Sequence, residues 1–364
     1  MELVCSGWWL HGEVGSRGGV ARRGAETRRF CRTIGGAEGG GGYLYAGLNK
    51  ELKYNCVMQK VNLFIGFALL MGLAGCNGTS EPVVDQQGDD GFTFAFMTDL
   101  HVQPEKRADE GVARAIDKVN ELGPDFVITG GDLIMDALGQ TRGRSDSLYR
   151  MYDSLQQGFE MPVYNTLGNH ELFGIYERSG VDRSHPLYGE KMYEKYLGKP
   201  YYAFDHKGWR FYIFDSVDDT GEGRYYGHVD SVQLAWLKED LEGVDPETPL
   251  AVSVHIPLIT ASTQFSKGST EANSPGSVVE NSREVLDAFG DHNLKLVLQG
   301  HLHILEDIYI DGIHFITGGA VSANWWSGPR NGMEEGFLVL NVNGEELEWE
   351  YVDFGWEAVP GEQG

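Results

Sequence analysis

The sequence predicts an α/β fold, with a parallel sheet drawn from the first half of the folded region and a partner sheet from the second. Apolar strand-like runs alternate with helical stripes from residue 92, the pattern that leads to parallel pairing. The later half is richer in strands than in helices. Several runs end in Asp, Asn or His, where open α/β sheets place their sites, at the carboxyl ends of strands.

Strand-like runs lie at 92–98, 125–130, 161–167, 201–205, 209–215, 249–255, 294–300, 305–310, 313–317, 336–342 and 346–353. Between the early ones, Val112, Ile116 and Val119 form a stripe at i, i+4 and i+7 that ends at Leu122-Gly123. After Asp230, Val232, Leu234, Trp236, Leu237 and Leu241 suggest a second helix. Tyr201, Tyr202, Phe204, Phe211, Tyr212 and Phe214 stand at strand spacing and read first as core.

Five short blocks close apolar runs: Asp99 and His101 in TDLH, Asp132 in TGGD, Asn169 in LGNHE, His255 in SVH, and His301 with His303 in QGHLH. A divalent ion that polarises a phosphoryl oxygen and activates water takes oxygen and imidazole donors and keeps one position open. Carboxylate, imidazole and one carboxamide meet that need. Two ions roughly 3.5–4 Å apart need a bridging side chain, and a carboxylate bridges naturally. Asp132, alone after two glycines, is the candidate bridge. Side chains at i and i+2 of an extended segment point the same way, so Asp99 with His101, and His301 with His303, are expected to present paired ligands from extended chain. Such a site accepts Mn, Fe or Zn.

In this order, DLH, GGD, GNHE, a lone strand-end His and GHLH resemble the calcineurin-like metallophosphoesterase family, over residues 92 to about 353. Each block alone is weak; five in order at strand ends are specific. The resemblance implies a four-layer α/β/β/α sandwich, two packed mixed sheets flanked by helices. It implies two divalent ions, one held by Asp99, His101, Asp132 and His303, the other by Asp132, Asn169, His255 and His301, with a bridging hydroxide attacking phosphorus in line. His170, beside Asn169, matches the position that contacts the substrate phosphate and helps protonate the leaving oxygen. In several relatives an Asp three residues after the bridging Asp orients that histidine; Met135 stands there, and Asp136, one place on, is the candidate. The implied activity is hydrolysis of small phosphate esters, and the DLH and GHLH blocks recur in cyclic-nucleotide phosphodiesterase relatives. Phosphomonoesterase or nucleotidase activity is the alternative on the same fold. A non-catalytic surface-binding lipoprotein is the alternative of another class, and it has no need of the full ligand set.

Upstream, Lys60 precedes an apolar run from Leu63 to Gly72, shorter than the about 20 residues of a membrane span but suited to a signal peptide. Its ending, Leu73-Ala74-Gly75-Cys76, resembles the bacterial lipobox. That resemblance implies cleavage before Cys76, lipid on its sulfur, and an extracytoplasmic protein anchored to a membrane of the cell envelope. Residues 58–76 are thus read as a lipoprotein signal peptide. Residues 1–57 are rich in Gly and Arg, lack periodicity and hold no Met between Met1 and Met58, so they are read as an over-extended gene start or a disordered extension. Residues 77–91 read as an acidic tether, 92–354 as the metallophosphoesterase domain, and 355–364 as a tail.

The chain carries 29 Lys and Arg against 54 Asp and Glu, a formal net charge of −25. Residues 1–76 hold nine of the basic and five of the acidic residues, so from Asn77 onward 20 basic face 49 acidic, a net of about −29. Such a surface repels nucleic-acid backbones and excludes a polynucleotide partner. The expected partners are a small phosphate ester and, through Cys76, a membrane. All four cysteines lie at or before Cys76, so the region beyond has no disulfide.

Two loops carry functional expectations. Residues 256–281, long and rich in Ser, Thr, Gly and Asn, read as a lid or binding loop. In the second, 318–331, Trp325 and Trp326 offer a stacking surface for a base, a sugar or an apolar tail, and Arg330 a hold on an anionic oxygen. The alternative is that both tryptophans cover a sheet edge. His185, His206, His228, His292 and His314, outside the blocks, are expected as surface or hydrogen-bonded residues.

Overall fold

Phenylalanine at every second position sets the first strand, β1 (Phe92–Met97). Phe92, Phe94 and Phe96 turn to one face, Ala95 and Met97 to the other, and all five are buried. A strand buried on both faces belongs between layers. The computed structural model, which describes residues 91–358, places it at the centre of a five-stranded sheet.

That sheet runs β13 (Glu346–Asp353), β12 (Gly336–Asn343), β1, β2 (Phe126–Thr129), β3 (Val163–Asn165). β1, β2 and β3 are parallel, and β12 and β13 join antiparallel. A six-stranded sheet runs β10 (Leu305–Ile310), β11 (Ile313–Gly318), β9 (Leu294–Gln299), β8 (Leu250–Ser253), β5 (Trp209–Ile213), β4 (Tyr202–His206). Its four inner strands are parallel and both edges antiparallel. Each of the eleven expected runs forms a strand. The sequence reading missed a hairpin of three-residue strands, β6 (Val217–Asp219) and β7 (Tyr225–Gly227).

The sheets meet face to face over an apolar core in which Phe94, Phe96, Phe126 and Ile128 join Phe211, Ile213, Leu296, Leu298 and Ile316. Phe94 stacks on Phe126 at 5.0 Å and meets the edge of Phe211 at 5.7 Å. The opposite faces, with Ala95, Met97, Val127, Tyr212, Val252 and Val297, belong to a second cluster that contains the helices. From α1 (Ala108–Leu122) come Val112, Ile116 and Val119; from α4 (Ser231–Leu241), Leu234, Leu237 and Leu241; from α6 (Ser282–Ala288), Val285. The four layers follow from this alternation.

α1 ends on Gly123 in the left-handed region, its N–H bonded to Val119 O. α4 begins at Asp230, whose side chain accepts from Gln233 N at 2.7 Å. Its buried stripe excludes Val232, which is 62% exposed, and takes in Gln233, whose amide pairs with both the N–H and the C=O of Asp215. Helices α2 (Arg142–Gln156), α3 (Lys191–Leu197) and α5 (Ser262–Lys267) complete the set. The five histidines outside the blocks are all hydrogen-bonded or ion-paired, three of them to aspartates. Packing continues past the expected end at residue 354, because Trp356 is buried edge-on against Trp326 at 5.6 Å. Expectations for residues 1–57, for the signal peptide at 58–76 with Cys76, and for 77–90 lie outside the described residues. Among the described residues no helix is long and apolar enough to cross a membrane.

Candidate metal centre

The five blocks lie just past the carboxyl ends of β1, β2, β3, β8 and β9. The paired ligands do not sit on extended chain, as their spacing had suggested. Asp99, His101, Asp132, His301 and His303 all adopt left-handed backbone, with φ of 57, 46, 50, 70 and 51°. Tight left-handed turns, not strand alternation, fold the i and i+2 side chains onto one centre. For residues with a Cβ this costs on the order of 1–3 kcal/mol each and persists only where the surroundings fix it. Here the fixing bonds are Asp99 N to Gly131 O at 3.0 Å, His101 N to Asp132 O at 2.9 Å and His301 N to Asp99 Oδ2 at 3.0 Å. The TGGD glycines have a steric reason: Gly131 has φ +87°, and a Cβ there would lie 2.5 Å from His255 Nδ1.

Two ligand groups form. In the first, His303 Nε2 lies 3.2 Å from Asp99 Oδ1 and 3.0 Å from His101 Nε2. In the second, His255 Nε2 lies 3.2 Å from Asp132 Oδ1 and 3.1 Å from Asn169 Oδ1, and His301 offers an atom within 4.8 Å of Asp132 and His255. Asp132 Oδ2 faces the first group, 3.7 Å from His101 Nε2. Its two oxygens therefore address different groups, as a bridging carboxylate can.

Backbone carbonyls set the ring tautomers. His255 Nδ1 donates to Gly130 O at 2.8 Å, His303 Nδ1 to Ala323 O at 2.6 Å, and His301 Nε2 to Gly276 O at 2.8 Å. Because each of these nitrogens carries a proton, the other nitrogen of each ring is the one that presents a lone pair to the centre when the ring is neutral. Asp99 Oδ1 and His301 Nδ1 are buried without a hydrogen-bond partner. A buried acceptor left unmatched is expensive, and a divalent cation among these oxygens and nitrogens satisfies both. The residues present fit two such ions.

Charge is distributed unevenly among them. Burial pushes the Asp99 carboxyl up, but His303 and His255 outweigh it and hold the group at about 2. Burial also works against a charged His255, yet Asp132 and Asp99 raise it to about 9. Burial, and then His255, push His301 down to about 4; burial and His170 hold His101 well below its usual range. Without metal, the centre thus combines the Asp99 and Asp132 carboxylates with an imidazolium at His255 and neutral rings at His101 and His301.

His170 stands at the rim, its side chain 22% exposed and its Nε2 3.8 Å from Asp132 Oδ2. Its Nδ1 is bonded to the carbonyl of Met135. Asp136 does not reach it, contrary to expectation; that carboxylate accepts from Gln140 Nε2 at 3.2 Å and pairs with Arg178 at 3.4 Å. The tryptophans separate. Trp326 is buried, its Nε1 donating to Leu100 O at 3.0 Å, so it is a core residue rather than a stacking surface. Trp325 lies over the centre, 4.6 Å from the His303 ring, with the Arg330 guanidinium 4.7 Å above its own ring. The 256–281 loop supplies Gly276 O to His301, and so packs on the centre.

Sequence reasoning missed Glu171. Fully buried, it accepts from the backbone N–H of Asp132 and Gly168 through Oε2 and of Leu133 and Ile134 through Oε1, at 2.7 to 3.0 Å. Its place in GNHE, two residues after Asn169, was the one available signal.

A buried pair of ligand groups sharing one carboxylate, set at the carboxyl ends of strands from two facing sheets, defines a metal-dependent hydrolase of the α/β/β/α class. The family profile described as calcineurin-like phosphoesterase matches residues 92–305, and the chain belongs to that family. Among solved structures it is similar to a dimetal phosphatase from Danio rerio, at 16% identity and a TM-score of 0.52, over 71% of this chain and 95% of that one. It is also similar to the phosphopantetheinyl hydrolase of Mycobacterium tuberculosis, at 17% identity and a TM-score of 0.39, over 62% and 88% of the two chains. An archaeal phosphodiesterase shares 11% identity at a TM-score of 0.34, over 71% and 99%. At 16% identity the likeness to the Danio rerio phosphatase speaks for the fold alone. No curated protein sequence matches the chain.

Proposed function

We propose that this metallophosphoesterase hydrolyses phosphodiesters. The observation that carries the reading is that the ligand groups are flanked by two grooves. One, of ≈ 760 Å³, is lined by His303, Leu305, Met333 and Phe265. The other, of ≈ 580 Å³, is lined by Gly276, Tyr225, Tyr226 and Arg224, with the Tyr225 ring 6.1 Å from that of His301. Two grooves offer room for the two ester arms of a diester, whereas a monoester uses one.

When bound, divalent ions supply the positive charge that neutralises phosphoryl oxygens and lowers the pKa of the attacking water. The chain does the rest. Asp132 is fixed by Glu171 through its turn and accepts the His170 N–H at 2.9 Å. With Nδ1 committed to Met135 O, His170 as imidazolium delivers its proton from Nε2 to the leaving oxygen. Arg330, held on Trp325, is the cation this reading assigns to a non-bridging oxygen.

The test is turnover of bis-p-nitrophenyl phosphate against p-nitrophenyl phosphate with Mn²⁺, Zn²⁺ or Fe²⁺. Diester cleavage is expected, and activity on the monoester alone defeats the diesterase reading. Anchoring through lipid on Cys76, outside the cytoplasm, belongs to the same proposal. An intact native mass without the lipid increment on Cys76 defeats that part.

A further inference from the structure

The two grooves differ in chemistry. Beside His301 the walls are polar, with Asp219, Arg224, Tyr225, Tyr226 and Glu280. Beside His303 they are mainly apolar, with Ala261, Phe265, Ile304, Leu305 and Met333 beside Ser262, Ser266 and Asn331, and the one charged lining residue is Glu306. Both oxygens of that carboxylate are occupied, Oε2 accepting from Thr260 Oγ1 at 2.7 Å and Oε1 from Ala261 N at 2.8 Å. Glu306 therefore fixes the start of α5 and leaves the groove apolar. On α5, Phe265 is 94% exposed, the most exposed large apolar side chain among the described residues. A single exposed apolar residue is ordinary, but one on the wall of a mainly apolar groove that a metal-ligand histidine also lines has an occupant to find.

We propose that the groove beside His303 seats an alkyl or acyl chain, so that the substrate is an amphiphilic phosphodiester with one apolar and one polar arm. The inference rests on the diesterase reading and extends it to substrate class. Three observations favour a chain over a polar group: the lining is mainly apolar, its one charge is committed internally, and the groove borders the centre at His303, which lines it. Each methylene taken from water is worth about 0.8 kcal/mol, close to fourfold in an equilibrium or specificity constant.

The experiment uses two homologous series on the metal-loaded protein. One is p-nitrophenyl alkyl phosphates from methyl to octyl; the other is the corresponding alkylphosphonates, whose P–C bond is not hydrolysed, titrated by calorimetry. We expect kcat/KM to rise about two- to fourfold per added methylene until the groove is filled, and phosphonate Kd to fall in parallel. Phe265→Ser combined with Met333→Ser should flatten both slopes. A flat series on a protein that cleaves the methyl ester overturns the chain assignment and leaves the diesterase reading standing. Chain-dependent phosphonate binding without turnover of any ester overturns the diesterase reading instead. A slope that survives the double variant, or a dimer in sedimentation that Phe265→Ser abolishes, also overturns the assignment.

Discussion

Glu171 organises the centre from behind, through main-chain donors alone. The turn that presents Asp132 is built on its two oxygens, so Glu171→Gln sets an amide NH₂ against two backbone N–H groups. Each buried polar group left unmatched costs about 1–3 kcal/mol. Urea unfolding should show a loss of roughly 2–5 kcal/mol, with metal content falling too; a variant as stable as the parent would refute the role. His170 and Asp132 separate in another way. His170→Ala should keep its metal and lose ~10²- to 10⁴-fold in turnover, whereas Asp132→Asn should lose the metal itself. Metal analysis by mass spectrometry beside kcat decides, and loss of metal in His170→Ala would make that histidine a ligand. The ligand blocks were legible because metal chemistry dictates side-chain identity. Glu171 was not, since a carboxylate that bonds only to backbone imposes no pattern on its partners. Asp136 misled for a related reason: the partner of His170 is a carbonyl, which any residue at 135 carries.

At the level of elements, α1 shows how a helix is tied to the site. A Cβ on Gly111 would lie 2.2 Å from Cζ3 of the buried Trp326, whose Nε1 donates into the TDLH block at Leu100 O. Gly111→Ala should therefore destabilise by about 1–3 kcal/mol by overpacking, although alanine in a helix ordinarily gains about 1 kcal/mol over glycine. A raised melting temperature in that variant would show that Trp326 can move. Trp325→Ala is expected to leave the melting temperature within a degree or two and raise KM, the opposite signature to its neighbour's. The adjacent tryptophans look alike in sequence; their roles diverge because both sit in left-handed turns, with φ 48 and 64°, which send the rings in different directions. Such turns, at Asp99, His101, Asp132, His301 and His303 as well, were illegible because none of these residues announces φ > 0 as glycine does. The long apolar strands, by contrast, were read directly. β6 and β7 escaped because three residues carry no periodicity, and α2 because its buried stripe is one leucine and two tyrosines among charged and small residues.

Across the whole molecule, the ligands come from both sheets. Asp99, Asp132 and Asn169 follow β1, β2 and β3, while His255, His301 and His303 follow β8 and β9. Metal binding thus ties the two halves of the sandwich, and a ligand that binds only the folded state stabilises it by RT ln(1 + [L]/Kd), about 2.7 kcal/mol at 100 times Kd. Added Mn²⁺ should raise the melting temperature by on the order of 5 to 10 °C, and chelation should reverse it. The size of the shift depends on pH through His255. Its folded pKa is raised to about 9, so in metal-free protein its contribution is fully present below the unfolded value near 6.5 and is lost as pH rises through about 9. Metal demands the neutral ring and must expel that proton, so affinity improves up to about tenfold per pH unit over the same window. His101 and His301, already neutral there, and Asp99, already ionised, add nothing to the slope. Both effects have one sign: the melting-temperature gain at fixed Mn²⁺ should be larger at pH 8 than at pH 6. Calorimetry in two buffers of different ionisation enthalpy should register close to one proton released per centre at pH 7. A gain independent of pH, with no proton released, would remove His255 from the coordination shell and leave His301 as the second sheet's link to the shared carboxylate.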